Sequence, residues 1–549
     1  MPQNDDPYFR DTETYREPPN GWRATLRQVG PGLIIVGSVV GSGELIMTTK
    51  LGAVAGFALL WFVIVSCLIK VVIQTEIARH TISSGQTFLH VFNALPGPTC
   101  RRPTWLTLGW LTVVLLASVV GMILYVQVET QDVGLKSVLI LAGVVLTLVG
   151  AAFTIAHRSA RAAKRTIPSS PASTSTAQPT INWFTWLWLV IMLLNFVNAG
   201  AILGGSGQAV QLALPDVFGE GGDQAWSVVV AILAAVILFS GSYNALEKTL
   251  VTLVSTFTLL TVVSTILLQW TGYAITWEDV ERGLSFDVPG SMTPAVIFTA
   301  LAMYAGTGVA YGEMWGYTYW CVEKGYAKHT GAPTSGSEWP RRARGWIRVM
   351  YIDSLLTMVV YTASTVCFFL LGAAILYASG LDPDGSKTLA TLGEMYTESL
   401  GSWAATLFVV GAFFVLFTTV VSGVASGSRV LADALTLVGV FRSTDFEVRM
   451  RFIRIFVVLS LALYLIAYWL FRNPPMMLIV TSSIIGAVMY PTLGLGVLYL
   501  RHRGIDPRIA PSLPTTVWLW ICGLVVAIIS PVGILYALAI QQGWISLGN

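Results

Sequence analysis

Long apolar runs separated by short polar stretches repeat along the whole chain. We count about thirteen runs of roughly 20 residues, which is the length that an α-helix needs to cross the hydrocarbon core of a bilayer. They lie near residues 30–50, 54–78, 105–126, 135–156, 183–211, 225–242, 246–270, 294–320, 347–378, 402–422, 451–471, 476–500 and 516–540. The pattern predicts an all-α polytopic membrane protein.

Composition agrees with this pattern and excludes several classes of protein. Of the 549 residues, 54% are hydrophobic and 11% are charged, whereas soluble domains carry about 25% charged residues. The five cysteines include no Cys-x-x-Cys pair, so we expect neither a disulfide framework nor a zinc site. There is no Walker A loop, Rossmann glycine pattern or hydrolase elbow. We therefore expect a bilayer-embedded chain with no enzyme activity, no resident cofactor and no nucleic-acid partner.

Charged loops predict the orientation of the runs. Basic residues concentrate after the second, fourth, eighth and twelfth runs, whereas acidic residues concentrate after the fifth, seventh and ninth. By the positive-inside rule, we expect the N-terminal tail (residues 1–27) to be cytoplasmic. We also expect the protein to lie in a plasma membrane, such as the bacterial inner membrane. The tail shows no signal-peptide pattern. Residues 157–182 form a low-complexity linker that we also expect to be cytoplasmic.

The first run contains Gly41-Ser42-Gly43-Glu44, a polar interruption in an otherwise apolar stretch. A glycine lowers helix stability by about 1 kcal/mol relative to alanine. A charge near the bilayer centre costs roughly 2.5–3.5 kcal/mol on insertion scales. A chain that accepts both costs at one place is predicted to have a broken helix there, with a polar ligand at the break.

The eighth run echoes this feature at Gly312-Glu313, where a carboxylate again follows a glycine among small residues. The two runs cross the membrane in opposite directions, as an inverted repeat requires. In transporters built this way, the substrate site lies at the midplane between unwound helices. Two other readings remain open, since glycines also serve close helix packing and a glutamate can sit at the edge of a span.

Several motifs together resemble the Nramp divalent-metal transporters. Gly30-Pro31-Gly32, Gly41-Ser42-Gly43-Glu44 and Leu51-Gly52-Ala53 resemble the first helix of that family, where Asp-Pro-Gly-Asn lies between Gly-Pro and Gly-Ala. Further likenesses are Gln74-Thr75-Glu76-Ile77-Ala78-Arg79, Leu246-Glu247-Lys248 and the position of Gly306 to Glu313. The resemblance implies a leucine-transporter-like fold with discontinuous helices and two inverted repeats.

The resemblance also divides the chain into domains. The first repeat would span residues 28–270, with a helix pair inserted near 105–156, and the second would span 294–500. An extra C-terminal helix and tail would occupy residues 516–549.

The metal site departs from the family's pattern. The family's metal-binding Asp maps to Gly41 and its Asn to Glu44. Its Met, His and second Asn map to Ala310, Gly312 and Glu313. The site has thus lost a thioether and an imidazole, while its carboxylates have moved. Oxygen ligands suit Mg²⁺ or Mn²⁺ better than soft metals, and Mg²⁺ keeps part of its water shell. In this respect the chain resembles the Nramp-related magnesium transporters.

Two hypotheses about function follow. The first is a secondary transporter that moves a divalent cation of the Mg²⁺ or Mn²⁺ type by alternating access, either coupled to protons or passive. Glu44 and Glu313 would be metal ligands or charges just outside the ligand shell. The full set of candidate substrate-binding residues is Ser38, Gly41, Ser42, Glu44, Thr307, Ala310 and Glu313. The alternative is a cation-coupled symporter of a small organic solute on the same fold.

Other polar residues receive structural interpretations. Glu76 with Arg79, and Arg429 with Asp433, have the spacing of ion pairs on one helix face. The five histidines fall in loops or at the ends of runs, where we expect them to be solvated. Asn195 with Asn198, and Gln208 with Gln211, would line a water-filled path or join helices by hydrogen bonds. The five histidines are His80, His90, His157, His329 and His502.

Overall fold

The computed structural model of the protein describes residues 6–10, 15–101, 180–219, 221–239, 243–286, 288–289, 293–383, 388–401, 403–437, 446–470 and 483–541. In its first half the helices are α1 (Trp22–Leu26), α2 (Pro31–Val39), α3 (Thr49–Ala55), α4 (Leu60–Ser84), α5 (Phe88–Phe92), α6 (Trp183–Ala213), α7 (Pro215–Phe218), α8 (Gly222–Phe239), α9 (Tyr243–Leu267) and α10 (Trp277–Leu284). A π-helix at Gly43–Thr48 lies between α2 and α3, and 3₁₀ turns lie at Gly56–Leu59 and Leu268–Trp270.

The second half is helical in the same way. Its helices are α11 (Pro294–Gly306), α12 (Tyr311–Glu323), α13 (Tyr326–Thr330), α14 (Glu338–Leu371), α15 (Thr388–Leu400), α16 (Ala404–Leu437), α17 (Phe446–Leu470), α18 (Met489–Arg503) and α19 (Leu513–Gln541). A second π-helix, Gly372–Tyr377, extends α14, and a 3₁₀ turn lies at Pro507–Ile509.

Helices occur in every predicted run except 105–126 and 135–156, which lie outside the described residues. Among the residues that are described, nine helices are long and apolar enough to cross a membrane. Strands β1 (Thr99–Arg101) and β2 (Thr180–Asn182) pair antiparallel and bring together the chain on either side of residues 102–179. The predicted linker 157–182 therefore ends in a short strand, and the rest of it lies outside the described residues.

The helix α2 lies at the centre of the bundle. It packs against α9, α12, α14 and α16, and its residues from Ile34 to Val40 belong to one continuous apolar core. Helix α6 packs against α8, α16 and α17, while α4 packs against α12 and α14. Large apolar side chains are exposed on the outer helices, as on α8 and α19. In a bilayer those side chains would contact lipid, so the site-bearing helices are the enclosed ones.

The first helix break spans residues 40–42, between α2 and the π-helix. Val40 leaves the helical conformation with ψ of 70°, and the Gly41 N–H donates to the carbonyl of Val39 over 2.7 Å. The π-helix then places Glu44 in a completely buried position. Because π-helices are rare and cluster at functional sites, this segment agrees with the predicted interruption.

The second break spans residues 307–310, between α11 and α12. Thr307 and Ala310 are extended, and Gly308 has a φ of 59°. A residue with a side chain rarely adopts this left-handed conformation, whereas glycine does so without strain. The predicted interruption of the eighth run is thus a four-residue gap between two short helices.

Candidate functional site

The two helix breaks touch each other. A side chain at Gly43 would collide with the carbonyl oxygen of Gly306, the last residue of α11. Gly41 has no more room, because a side chain there would meet the hydroxyl of Thr419 on α16. The glycines of the first break are therefore needed for close approach, and the two interruptions meet in the middle of the bundle.

Each carboxylate of the two breaks binds the other broken helix. The Glu44 Oε1 accepts a hydrogen bond from the Gly308 N–H over 2.7 Å, and its Oε2 accepts a longer one of 3.4 Å from Gly41. In the opposite direction, the Ser38 hydroxyl on α2 donates to the Glu313 Oε1 over 2.6 Å. This reciprocal exchange joins the two breaks by hydrogen bonds rather than by apolar packing alone.

A cavity of about 130 Å³ lies beside the joined breaks. The described part of its wall contains carboxylate, hydroxyl and amide side chains from five helices, together with a thioether. Its side chains with oxygen, nitrogen or sulfur atoms include Ser38, Ser42, Asn195, Asn198, Glu313, Thr419 and Met192. Asn195 and Asn198 both line this cavity, and the Asn198 amide donates a hydrogen bond of 3.3 Å to the Asn195 side-chain oxygen. Gln208 and Gln211 instead bond to Tyr468 and to loop carbonyls.

The structure divides the predicted site residues into two groups. Those in the cavity wall are Ser38, Ser42, Ala310 and Glu313. Gly41, Glu44 and Thr307 lie at the breaks but outside that wall. Glu44 faces Gly308 across the joint, and the Thr307 carbonyl accepts a hydrogen bond from Lys70 on α4. Among the described residues no three His, Cys, Asp or Glu side chains converge on one point.

Three residues that contact the breaks, the cavity or the start of α2 were not predicted from the sequence. Lys70 is fully buried beside the second break, Met192 lines the cavity, and Asp353 holds the start of α2. The Asp353 carboxylate accepts hydrogen bonds from the N–H groups of Gly30 and Gly32, over 3.0 and 2.7 Å. Negative charge at a helix N-terminus is favourable, which explains the Gly30-Pro31-Gly32 motif. Both charged residues lie inside apolar runs, which is a signal that could have identified them.

A protein-family model matches a long part of this chain. The model of natural resistance-associated macrophage protein-like proteins (Nramp) matches residues 169–536, which is more than half of the chain. This chain belongs to the Nramp family.

Individual Nramp relatives are distant. A stretch of 70 residues is 33% identical to the metal transporter Nramp7.1 of Populus trichocarpa, and it covers 13% of this chain and 12% of that protein. The chain thus matches far less than two thirds of that relative. The manganese transporter of Eremococcus coleocola, in complex with an aromatic bis-isothiourea substituted compound, is 12% identical with a TM-score of 0.56, covering 97% of this chain and 92% of that one. A mutant of the same transporter is 12% identical with a TM-score of 0.55, and the match covers 97% of this chain and 91% of that one.

These likenesses confirm the predicted family and the leucine-transporter-like fold with discontinuous helices. The relatives are named as transporters, which agrees with the prediction of a multi-pass membrane protein that is not an enzyme. The repeat boundaries at 28–270 and 294–500 stay predictions, as does the inserted helix pair.

At one end of this Nramp chain, buried charges form what we call the arginine network: Glu323, Arg429, Asp433 and Arg449. Arg429 binds Glu323 through two hydrogen bonds of 2.6 and 3.0 Å. Arg449 binds Asp433 over 3.0 Å. The predicted pair of Arg429 with Asp433 is therefore wrong, because each residue has a partner on another helix. Glu76 and Arg79 do pair as predicted, over 3.1 Å.

The N-terminal segment packs onto this network. The Tyr8 hydroxyl donates to Glu323 over 3.0 Å, and the Arg449 guanidinium lies 4.2 Å from the centre of the Tyr8 ring. Burial, together with the Glu323 carboxylate, raises the pKa of Tyr8 well above its usual value. Arg10 donates to the carbonyls of Ser83 and Gly331, which fastens the segment to α4 and to the loop after α13.

The positions of three histidines contradict the prediction that they are solvated. His80 is buried within α4, and His90 lies 3.1 Å from Asp433. The His329 ring contacts the Trp346 ring with 4.9 Å between centroids, and burial lowers the pKa of His329 to about 4. The prediction of solvated histidines is therefore wrong for these three, because each lies on a helix (α4, α5 or α13) and packs against its neighbours. His157 lies outside the described residues.

Proposed function

We propose that this Nramp chain is a secondary transporter that carries a divalent metal cation of the Mg²⁺ or Mn²⁺ type across a plasma membrane by alternating access. The observation that carries the proposal is the cavity beside the joined breaks, with the Glu313 carboxylate in its wall. The printed functions of the relatives, a metal transporter and a manganese transporter, support the same substrate class.

The chemistry of the cavity wall favours a hard cation. Glu313 offers carboxylate oxygens, while Ser38, Ser42, Thr419 and Asn198 offer neutral oxygens. Oxygen ligands suit Mg²⁺ and Mn²⁺, and Mg²⁺ retains several waters when a protein binds it. One water occupies about 30 Å³ of liquid volume, so a cavity of about 130 Å³ holds a cation with part of its water shell.

Glu44 contributes to the proposed site although its side chain lies outside the cavity wall. Its carboxylate binds the Gly308 N–H and is fully buried. Charges interact more strongly in the interior than in water, so Glu44 and Glu313 together attract a divalent cation more strongly than either does alone. In this proposal Glu313 binds the cation directly, and Glu44 supplies a second negative charge that does not contact the cation.

Alternating access requires one end of the path to close while the other opens. The arginine network and the N-terminal segment join α12, α16 and α17 at one end of the bundle. We propose that this end is the cytoplasmic one, in line with the basic loops, and that the network holds it closed. Outward access would then lie on the other side of the joined breaks.

Metal influx into proteoliposomes tests the proposal directly. We expect wild-type protein to admit Mg²⁺ or Mn²⁺, reported by an enclosed dye, and Glu313→Gln to slow the influx at least about tenfold, which corresponds to a loss of about 1.4 kcal/mol. Glu394→Gln is the matched control, since it removes an exposed carboxylate on α15. Wild-type influx in Glu313→Gln would remove this residue from the ligand set.

Absence of metal influx in the wild type would instead favour the symport of an organic solute. Thermal-shift screening of amines and amino acids against the same purified protein would then be expected to find a stabilising ligand. The two outcomes are distinct, because a divalent-metal transporter is stabilised by its metal and not by those solutes.

A further inference from the structure

Lys70 is a buried cation at the second break. Its side chain is completely buried on α4, in a part of the chain where an ionisable residue is costly and is a functional candidate by default. Its ammonium donates to two backbone carbonyl oxygens, those of Tyr304 over 2.6 Å and of Thr307. One of these acceptors, Thr307, directly precedes Gly308, whose N–H binds the Glu44 carboxylate over 2.7 Å.

The break itself creates the acceptors that Lys70 uses. In a continuous α-helix, the N–H of Gly308 would donate to the carbonyl of Tyr304, four residues earlier. Here the Gly308 N–H donates to Glu44 instead. The Tyr304 carbonyl is thereby released at the C-terminal end of α11, where the helix dipole favours a positive charge. Lys70 occupies the resulting position.

This set of acceptors is the kind that binds monovalent cations. Unwound backbone carbonyls and the C-terminal ends of half-helices coordinate Na⁺ in transporters with discontinuous helices. Here two carbonyls at the end of a half-helix surround a single positive charge, with a carboxylate nearby. The difference is that the charge is covalently attached to α4 and cannot leave.

We infer that Lys70 is a built-in cation that fills a monovalent-cation site at the end of α11, so that this transporter works without bound Na⁺ or K⁺ at that position. The site includes the carbonyls of Tyr304 and Thr307, and the Glu44 carboxyl group binds the N–H of the neighbouring Gly308. The statement about ion binding stands on these contacts alone, whereas its consequence for transport rests on the proposed function.

Removing the side chain tests the inference by opening the site. In purified full-length protein, we expect Lys70→Ala to unfold about 2 °C or more higher in NaCl or KCl than in choline chloride of the same ionic strength. Wild type and Lys70→Arg should show no such difference, because a charged side chain still fills the site. Lys50→Ala is the matched control, since it removes another buried lysine, one that pairs with Asp382 over 3.4 Å.

Two results would overturn the inference. One is a folded Lys70→Ala protein with equal midpoints in sodium, potassium and choline. The other is a wild-type protein that is itself stabilised by Na⁺ or K⁺ over choline, and this arm decides the matter even where Lys70→Ala does not fold. Loss of Lys70 should also make metal influx at least about tenfold faster in Na⁺ or K⁺ than in choline. Absent influx in the wild type would contradict the proposed function, while the thermal comparison would still judge Lys70.

Discussion

Two regions of this molecule hold their buried carboxylates in different ways. At the joined breaks, Glu44 and Glu313 accept hydrogen bonds from a backbone N–H and a serine hydroxyl. In the arginine network, Glu323 and Asp433 are bound directly by guanidinium groups. The first arrangement gives its carboxylates neutral hydrogen-bond donors, with the Lys70 ammonium held by backbone carbonyls beside them, while the second binds its carboxylates directly to guanidinium groups.

The difference indicates which region can hold a mobile ion. A cation that entered the arginine network would have to displace an arginine from a short ion pair. At the breaks, the hydrogen bonds to Glu44 and Glu313 come from a backbone N–H and a serine hydroxyl, so an arriving cation would have no arginine to displace there. This contrast supports the proposed transport site at the breaks and a structural role for the network.

The largest expected effect comes from breaking the network. Asp433→Ala leaves Arg449 buried without its partner, so we expect the free energy of unfolding to fall by about 3–5 kcal/mol. Thermal or denaturant unfolding of the protein in detergent measures this loss. The double variant Asp433→Leu with Arg449→Met should recover most of it, because a buried pair can be replaced by apolar residues of similar volume. A single variant as stable as wild type would show that the pair is not structural.

Glu44→Gln tests the other region, the joined breaks. The amide oxygen can still accept from the Gly308 N–H, so we expect the stability to fall by only about 1 kcal/mol. Metal influx should fall about three- to tenfold, less than in Glu313→Gln, since the variant loses only the attraction between the cation and a charge that does not contact it. Dye influx and unfolding of the same preparation give both numbers. A large stability loss with normal influx per folded molecule would reverse the assigned roles.

The thioether of Met192, in the described part of the cavity wall, provides a smaller test. Met192 lines the cavity, and its terminal methyl group lies near Gly427 on α16. Leucine has a similar volume but no sulfur, so we expect Met192→Leu to change Mg²⁺ influx by less than about twofold, as volume-conserving substitutions are well tolerated. Competition by Cd²⁺ should be equally weak in both proteins. Cd²⁺ competition that is strong in the wild type and lost in the variant would make the sulfur a ligand.

The comparison also shows how far the sequence could predict the site. The positions of both breaks followed from the cost of glycine and carboxylate in an apolar run, and that cost depends only on local composition. The choice of partners did not follow from it. Arg429 is four residues from Asp433 but binds Glu323, because spacing along a helix says which residues can meet and the packing of other helices decides which do.

Lys70 and Asp353 illustrate the same limit. Each is a charge inside an apolar run, so its importance could be predicted from sequence alone. Their partners are backbone groups: the carbonyls of Tyr304 and Thr307 for Lys70, and the N–H groups of Gly30 and Gly32 for Asp353. A sequence pattern does not reveal such contacts, since every residue carries the same backbone groups and only the fold exposes particular ones.

The smallest expected effect concerns the rim of the arginine network. Burial alone would lower the pKa of His90, but the neighbouring Asp433 carboxylate raises it above the usual value. A raised pKa in the folded state means that the stabilisation is complete below the unfolded-state pKa, about 6.5, and is lost as the pH rises through the folded-state value. The wild type should therefore gain stability over His90→Gln on going from about pH 8 to about pH 6.

Thermal unfolding of both proteins across this pH range measures the effect. It should be small, because Arg449 and Tyr319 also bind Asp433, over 3.0 and 2.9 Å, and remain when the imidazolium is lost. At the breaks, where the hydrogen bonds to Glu44 and Glu313 come from neutral donors, a change of the same size in one charge should matter more. Equal pH profiles for wild type and His90→Gln would mean that the network's charge balance is complete without the histidine, which would widen the contrast between the two regions.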